Sequence, residues 1–255
     1  RDFCLSRGLG DVYKRQGEIE IREAIEQSCN YYFNMVGFKL GQDADGNFSE
    51  NRSLSVLQKY ASEIGLDKKT GIEITESAPH VSDSYAVPSY IGHGTNDYTT
   101  SQLARYATAI ATSGNVYDLT LLDRQTDSKG NTLKKYEPDI INTVDVSQNV
   151  WDDIHDGMYR VVQTHRQFDG LGVDVAGKTG TAEVTVYHPN HGMFVGYAPA
   201  SDPEYAIAVR IENGYASGNA CLAADDIFKY IFELTDEKSI LTGVAASDTS
   251  DTSND

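Results

Sequence analysis

Between positions 172 and 187 the chain reads G-V-D-V-A-G-K-T-G-T-A-E-V-T-V-Y, and this stretch limits the possible folds more than any other. Counted from Gly172, it matches the phosphate-loop pattern G-x-x-x-x-G-K-[ST] letter for letter. Counted from Lys178, it is a K-T-G box, a strand-borne motif of serine acyl-transfer chemistry. The two readings need different backbones. A phosphate loop passes from a strand through a flexible turn into a helix whose first amides hold phosphate. Here Val173-Asp174-Val175-Ala176 alternate apolar and polar, which reads as extended chain. Thr179-Gly180-Thr181 then run into Glu183-Val184-Thr185-Val186-Tyr187, β-branched and alternating, the pattern of a strand. Gly180 is also a poor residue for a first helical turn. Lys178 is therefore expected on or at the edge of a strand. A phosphate-loop ATPase is disfavoured, and tight Mg-ATP binding would revive it.

A K-T-G can also fall on a surface strand by coincidence, so a second motif is needed. Ser28-Cys29-Asn30 has the form S-x-N. It lies in a helical pattern in which Ile21, Ala24, Ile25, Cys29, Tyr32, Phe33, Val36 and Leu40 recur at spacings of three and four. That stripe faces a core, with Ser28 and Asn30 at a break or edge of it. Alone, S-x-N is equally a helix cap or a glycan acceptor. Its value comes from preceding a K-T-G on a strand.

With both motifs in place, the chain resembles the transpeptidase domain of class B (monofunctional) penicillin-binding proteins. Further segments occur in the family's order. Ile64-Gly65-Leu66 and Thr70-Gly71-Ile72-Glu73-Ile74 resemble its TGI segment. Ile91-Gly92-His93-Gly94, followed by Thr99-Thr100-Ser101-Gln102-Leu103-Ala104, resembles its IGQG and TPxQ segments. His191 to Pro199 resembles its H-x-W-F-x-G-x-x-P segment. The resemblance runs from about Gly17 to about Leu234, with departures at His93 for Gln, Thr100 for Pro and Met193 for Trp.

One departure is larger. The family's nucleophile lies in an S-x-x-K motif ahead of S-x-N, and no serine in this chain has a lysine three residues later. Thr126-Asp127-Ser128-Lys129 and Thr132-Leu133-Lys134-Lys135 carry threonine instead, in a polar, turn-rich stretch. The first sixteen residues, RDFCLSRGLGDVYKRQ, share no pattern with the rest of the chain and read as a non-native, adaptor-like leader. They have neither the apolar region of a signal peptide nor a membrane span. The reading is thus 1–16 leader, 17–235 the C-terminal part of a transpeptidase domain, and 236–255 a disordered acidic tail, the whole being a fragment of a longer protein.

At 255 residues the chain is long enough for one domain with a sizeable core. Its formal net charge of -17 argues against nucleic acid or an anionic membrane as a partner of this part. The three cysteines, Cys4, Cys29 and Cys221, show no CxxC spacing, and the six histidines form no ligand cluster, so neither a metal nor a cofactor is expected. Cys29 and Cys221 read as small buried residues. His188 and His191 flank Pro189-Asn190 in an expected hairpin turn, read as structural.

Helical patterns cover Gly17 to about Gly65, with a helix start near Ser53, and then Thr100–Thr112, Val150–Thr164 and Asn219–Leu234. Trp151, Ile154, Met158 and Val161 share one face of the third of these. Residues 119–139 are turn-rich, with Ser128-Lys129-Gly130-Asn131 a hairpin candidate. Three strands are expected at about 173–187, 192–198 and 205–212, joined too tightly for crossover helices and so antiparallel. The expected class is α+β, an antiparallel sheet flanked by helices, as in the β-lactamase/transpeptidase-like fold, incomplete at its N-terminus.

The resemblance implies a substrate and roles. The substrate is the D-Ala-D-Ala end of a peptidoglycan stem peptide, attacked by a serine to form an acyl-enzyme that an amine of a second stem resolves. Ser28 relays protons, and Asn30 holds the nucleophile-helix lysine and the substrate amide. Lys178 keeps that lysine's pKa low and attracts the terminal carboxylate. Thr179 and Thr181 hydroxyls bind the carboxylate, and Gly180 lets the substrate lie along the strand edge. The Thr181 N–H is one oxyanion donor; the other belongs to the absent serine, and losing one donor costs roughly 10²–10³ in rate. The parent is thus expected to cross-link peptidoglycan and be acylated by β-lactams, and this chain alone to be inactive. The same resemblance implies an anchored protein on the extracytoplasmic face of the bacterial membrane, with a glycan-polymerising partner. Three alternatives stay open: a β-lactamase or β-lactam sensor of the same fold, a nucleophile-less scaffold, and the ATPase above. The first is disfavoured because Ser28 and Lys178 lie 150 residues apart, which leaves room for a long insert.

Overall fold

The computed structural model describes residues 19–182 and 188–240. The leader at 1–16, residues 183–187 of the strand expected to reach 187, and the tail beyond 240 lie outside them. Where the sequence reads one domain, contacts divide the chain into two compact units, residues 1–36 with 147–255, and residues 37–146.

In the first unit the chain opens with helix α1 (Ile21–Glu26), started by a reciprocal cap between Glu20 and Glu23. It stops because Ser28 takes a left-handed conformation, φ 49°. Helix α2 (Asn30–Leu40) begins two residues later and runs on into the second unit. Ala24 and Cys29 are fully buried, with Ile19, Tyr31, Tyr32 and Phe33 packed on them. Cys29, read as a small buried residue, is also disulfide-bonded. Helix α6 (Gln148–Gln163) buries Trp151, Met158, Val161 and Val162, whereas Ile154 is only half-buried. It packs on α1 at Gly157, where an added Cβ would lie 2.9 Å from Ile25 Cβ. Arg22 bridges to Asp153 at 2.6 Å across the same contact.

Strands β5 (Ala176–Ala182), β6 (His191–Ala198) and β7 (Tyr205–Ile211) form an antiparallel sheet in the order β5-β6-β7. Facing residues share a face of such a sheet. Lys178 opposite Val195 and Gly180 opposite Met193 therefore lie on one face, and Thr179 opposite Phe194 and Thr181 opposite Gly192 on the other. Helix α7 (Ser217–Ile231) covers the second face, two residues earlier at its start than the sequence reads. Its Ala220, Cys221, Ala224 and Phe228 are fully buried with Phe194, Ala198, Val175 and Leu171. Small residues permit this approach, and at Gly192 a Cβ would meet the Ala216 carbonyl at 2.4 Å. A short helix, α8 (Glu237–Ile240), comes next, so ordered chain extends past the expected tail boundary at 236.

The second unit holds helix α3 (Glu50–Glu63), which starts three residues before the start expected near Ser53, with Ser49 as its cap. Ser49 accepts the Arg52 amide at 3.4 Å, while Ser53 is buried and donates to the Gly37 carbonyl at 2.8 Å. A one-turn helix, α4 (Ala86–Ser89), precedes α5 (Thr100–Ala111), which opens with a Thr99–Gln102 capping box and ends at left-handed Ser113 and Gly114. Arg105 on α5 is 1% exposed and donates to the carbonyls of Gly65, Lys68 and Lys69, clamping the loop after α3. Glu76 pins the TGI segment to the start of α5 by accepting from Thr70, Thr99 and Ser101. Two ladders complete the unit, β1 (Asn115–Tyr117) with β4 (Ile140–Thr143), and β2 (Arg124–Thr126) with β3 (Thr132–Lys135). The β2–β3 turn is the expected hairpin, organised by Asp127, which accepts from the Lys129 and Asn131 amides and the Asn131 side chain.

Candidate active site

Ser28 and Lys178 meet. The Lys178 ammonium donates to the Ser28 hydroxyl, and also to the Thr179 carbonyl at 3.0 Å. Two pieces of fold bring them together. Helix α1 delivers Ser28 at its broken end, and β5 presents Lys178 on the sheet face that α6 packs against; α6 touches both. The Ser28 backbone is held in its left-handed conformation by Ser28 N–H to the Ile25 carbonyl at 3.1 Å and Cys29 N–H to the Ala24 carbonyl at 2.9 Å. A non-glycine residue there costs about 1–3 kcal/mol, and such strain gathers at functional positions. The result is an exposed hydroxyl with a cation on its oxygen. A hydroxyl so placed can pass a proton while the ammonium stabilises nearby negative charge.

Asn30 is exposed in the first turn of α2, two residues from Ser28, and the structure does not tie its side chain to Ser28 or Lys178. Thr179, Gly180 and Thr181 follow Lys178 along β5, which among the described residues has a strand partner on one side only. The Thr181 hydroxyl accepts the Ser217 amide at 3.3 Å, joining the strand to the first turn of α7. Sequence reasoning missed this contact because the closing helix was expected to begin at Asn219, two residues after Ser217. Gly180 differs from the other glycines of the sheet. At Gly177 a Cβ would lie 2.3 Å from the Phe194 ring, and at Gly196 2.6 Å from the Ala176 carbonyl. Among the described residues, a Cβ at Gly180 would meet only Met193 Cβ, at an ordinary 3.5 Å. Packing among the described residues requires glycine at 177 and 196 but not at 180.

A family model described as penicillin binding protein transpeptidase domain matches residues 7–233. The chain belongs to the penicillin-binding protein transpeptidase family. The matched region includes the K-T-G strand, the S-x-N turn and all of the second unit. Among curated relatives, penicillin-binding protein 2B of Streptococcus pneumoniae serotype 2 is 30% identical over 212 residues, covering 73% of this chain and 31% of that protein. The peptidoglycan D,D-transpeptidase MrdA of Acinetobacter baumannii is 26% identical over 251 residues, covering 84% and 34%. Among solved structures, penicillin-binding protein 2B of S. pneumoniae strain R6 superposes with a TM-score of 0.71 at 26% identity, over 86% of this chain and 40% of that one. The chain thus spans about a third of the length of the curated relatives it matches. The α+β transpeptidase fold expected from the motifs is the fold observed.

Proposed function

We propose that this chain is the C-terminal part of the transpeptidase domain of a peptidoglycan D,D-transpeptidase, and that it supplies the substrate-aligning half of the active site. The Lys178–Ser28 contact is the observation that carries this reading, because a broken helix end and an edge strand 150 residues apart converge on one hydroxyl. A stem peptide ending in D-Ala-D-Ala would lie along β5 as an added strand. The bare Gly180 leaves room for its backbone, the Thr179 and Thr181 hydroxyls with Lys178 bind its carboxylate, and the Thr181 amide donates to the oxyanion. Ser28 passes the proton from the nucleophile to the departing D-Ala amine, and Asn30 orients the substrate amide. The nucleophile comes from an S-x-x-K segment outside this chain. A β-lactam would occupy the same edge and acylate the complete protein, which would act at the outer face of the cytoplasmic membrane beside a glycan polymerase.

The test uses the longer protein that carries this chain. Fluorescent penicillin is expected to label it covalently and to stay attached for minutes or longer, and Lys178→Ala or Ser28→Ala is expected to slow labelling by roughly 10²-fold or more. Absence of labelling in the unsubstituted protein would contradict the transpeptidase reading, and rapid release of hydrolysed drug would point to a hydrolase.

A further inference from the structure

His191, read from the sequence as part of a structural turn, has no part in the acyl-transfer scheme. It is the first residue of β6 and faces Ala182, the residue after Thr181. Its Nδ1 accepts the amide of Asn213 at 3.0 Å, which places the ring proton on Nε2. Asn213 belongs to the connection between β7 and α7, and that connection is strained. Asn213 (φ 53°) and Tyr215 (φ 64°) are both left-handed. Asparagine tolerates this conformation; for a residue as bulky as tyrosine it is an outlier. Such backbone persists only where its surroundings over-determine it. Three fastenings do so here: Asn213 N–H to His191 Nδ1, Tyr215 N–H to the Asn190 carbonyl at 2.9 Å, and the Asn219 side chain to the Gly214 carbonyl at 2.8 Å. The connection ends at Ser217, whose amide is held by the Thr181 hydroxyl oxygen.

We propose that His191 is a positioning residue of the carboxylate-binding strand: as an acceptor it pins the strained connection, and the connection in turn fixes the α7 amide that sets the Thr181 hydroxyl. This rests on the reading of Thr181 as a substrate contact. Accepting the Ser217 amide selects one orientation of the Thr181 side chain out of its staggered set. A connection free to relax out of its left-handed turns would carry Ser217 away from β5 and release that choice. His191 lies on the same strand that pairs with Thr181, so one ladder holds the acceptor, the strained segment and the hydroxyl in a common frame.

Amide hydrogen exchange on the 255-residue chain tests this without any substrate. Three proteins are compared: wild type, His191→Leu, which keeps bulk and lacks the acceptor, and His191→Asn, whose Oδ1 replaces Nδ1. Val161 and Val162 in α6 report global opening. The leucine variant is expected to speed exchange at Asn213, Tyr215 and Ser217 roughly five- to tenfold, the effect of one ordinary hydrogen bond. Val161 and Val162 are expected to stay unchanged, and asparagine to restore protection. Faster exchange at Asn213 with Ser217 unchanged would overturn the proposal, as would equal acceleration in α6 that asparagine does not rescue. A failure here leaves penicillin acylation of the longer protein unaffected, and a failure of acylation leaves these exchange rates as they are.

Discussion

The contrast between Gly177 and Gly180 separates what the fold needs from what a ligand needs. Both sit in β5, three residues apart, and a Gly→Ala change adds one methyl group at each. At position 177 that methyl would lie 2.3 Å from Phe194 Cζ and 2.9 Å from the Val195 carbonyl. Phe194 is fully buried in the core beneath α7, so its ring has to move by about an ångström against Ala220, Ala224 and Phe228. Overpacking of this kind costs about 1–3 kcal/mol. For a domain of this size each kcal/mol lowers Tm by about 2–4 °C, so Gly177→Ala is expected to lower it by about 2–12 °C. At position 180 the methyl meets Met193 Cβ at 3.5 Å, and the residue has no left-handed φ to protect. Gly180→Ala is expected to leave Tm within about 2 °C or to raise it slightly, since alanine restricts the unfolded chain. Scanning calorimetry on the 255-residue chain reads both. If Gly180→Ala lost as much stability as Gly177→Ala, the bare backbone at 180 would serve packing, and its assignment to a substrate strand would lose its basis.

Other outcomes rest on the same structure. Arg105→Met removes the donors of three carbonyls around a 1%-exposed guanidinium; a loss of about 3–5 kcal/mol is expected in urea denaturation, and a loss under 1 kcal/mol would show that the clamp is dispensable. Burial disfavours ionisation of Glu76, but the hydrogen bonds from Ser101, Thr70 and Thr99 outweigh it and hold the carboxyl below its usual range. The stability this provides is fully present above the unfolded pKa of about 4.3 and is lost as pH falls through the lower folded value. Glu76→Gln is therefore expected to flatten the acid limb of a stability–pH curve measured by chemical denaturation; an unchanged limb would refute the assignment. Gly157→Ala places a methyl against Ile25 and pushes α1 from α6; a loss of about 1–3 kcal/mol is expected, and a neutral change would mean that α1 does not need that contact.

The elements that bring Ser28 and Lys178 together were legible in the sequence because they are strongly patterned. The β-branched run after Thr181 and the poor helical fit of Gly180 put Lys178 on a strand, which begins at Ala176 and not at the expected 173 because the chain bends at 172–173. The helical stripe put Ser28 at a break or edge, and the structure shows the break. The apolar face of α6 and the small residues of α7 were readable for the same reason, since burial leaves a period. What escaped carries no period. Strand β4 exposes three of its four residues, and β1 has three residues in all, so neither shows an alternation to count. The start of α3 was misplaced because Ser49 and Ser53 both precede good helical sequence, and only the structure shows that Ser53 is bonded to Gly37. The Ser217–Thr181 link and the left-handed Tyr215 depend on tertiary packing at a turn, which no local pattern encodes. The division into two units was likewise invisible, because α2 carries an unbroken helical pattern across it.

The proposed half-site takes its nucleophile from an S-x-x-K segment of a longer protein. Sequencing the locus upstream of the Gly17 codon, then incubating both the extended protein and the 255-residue chain with fluorescent penicillin, tests it most directly. An in-frame S-x-x-K upstream, covalent label on the extended protein and none on the shorter chain are expected. Label on a serine of the 255-residue chain, or a continuous upstream frame without S-x-x-K that takes no label, would contradict it.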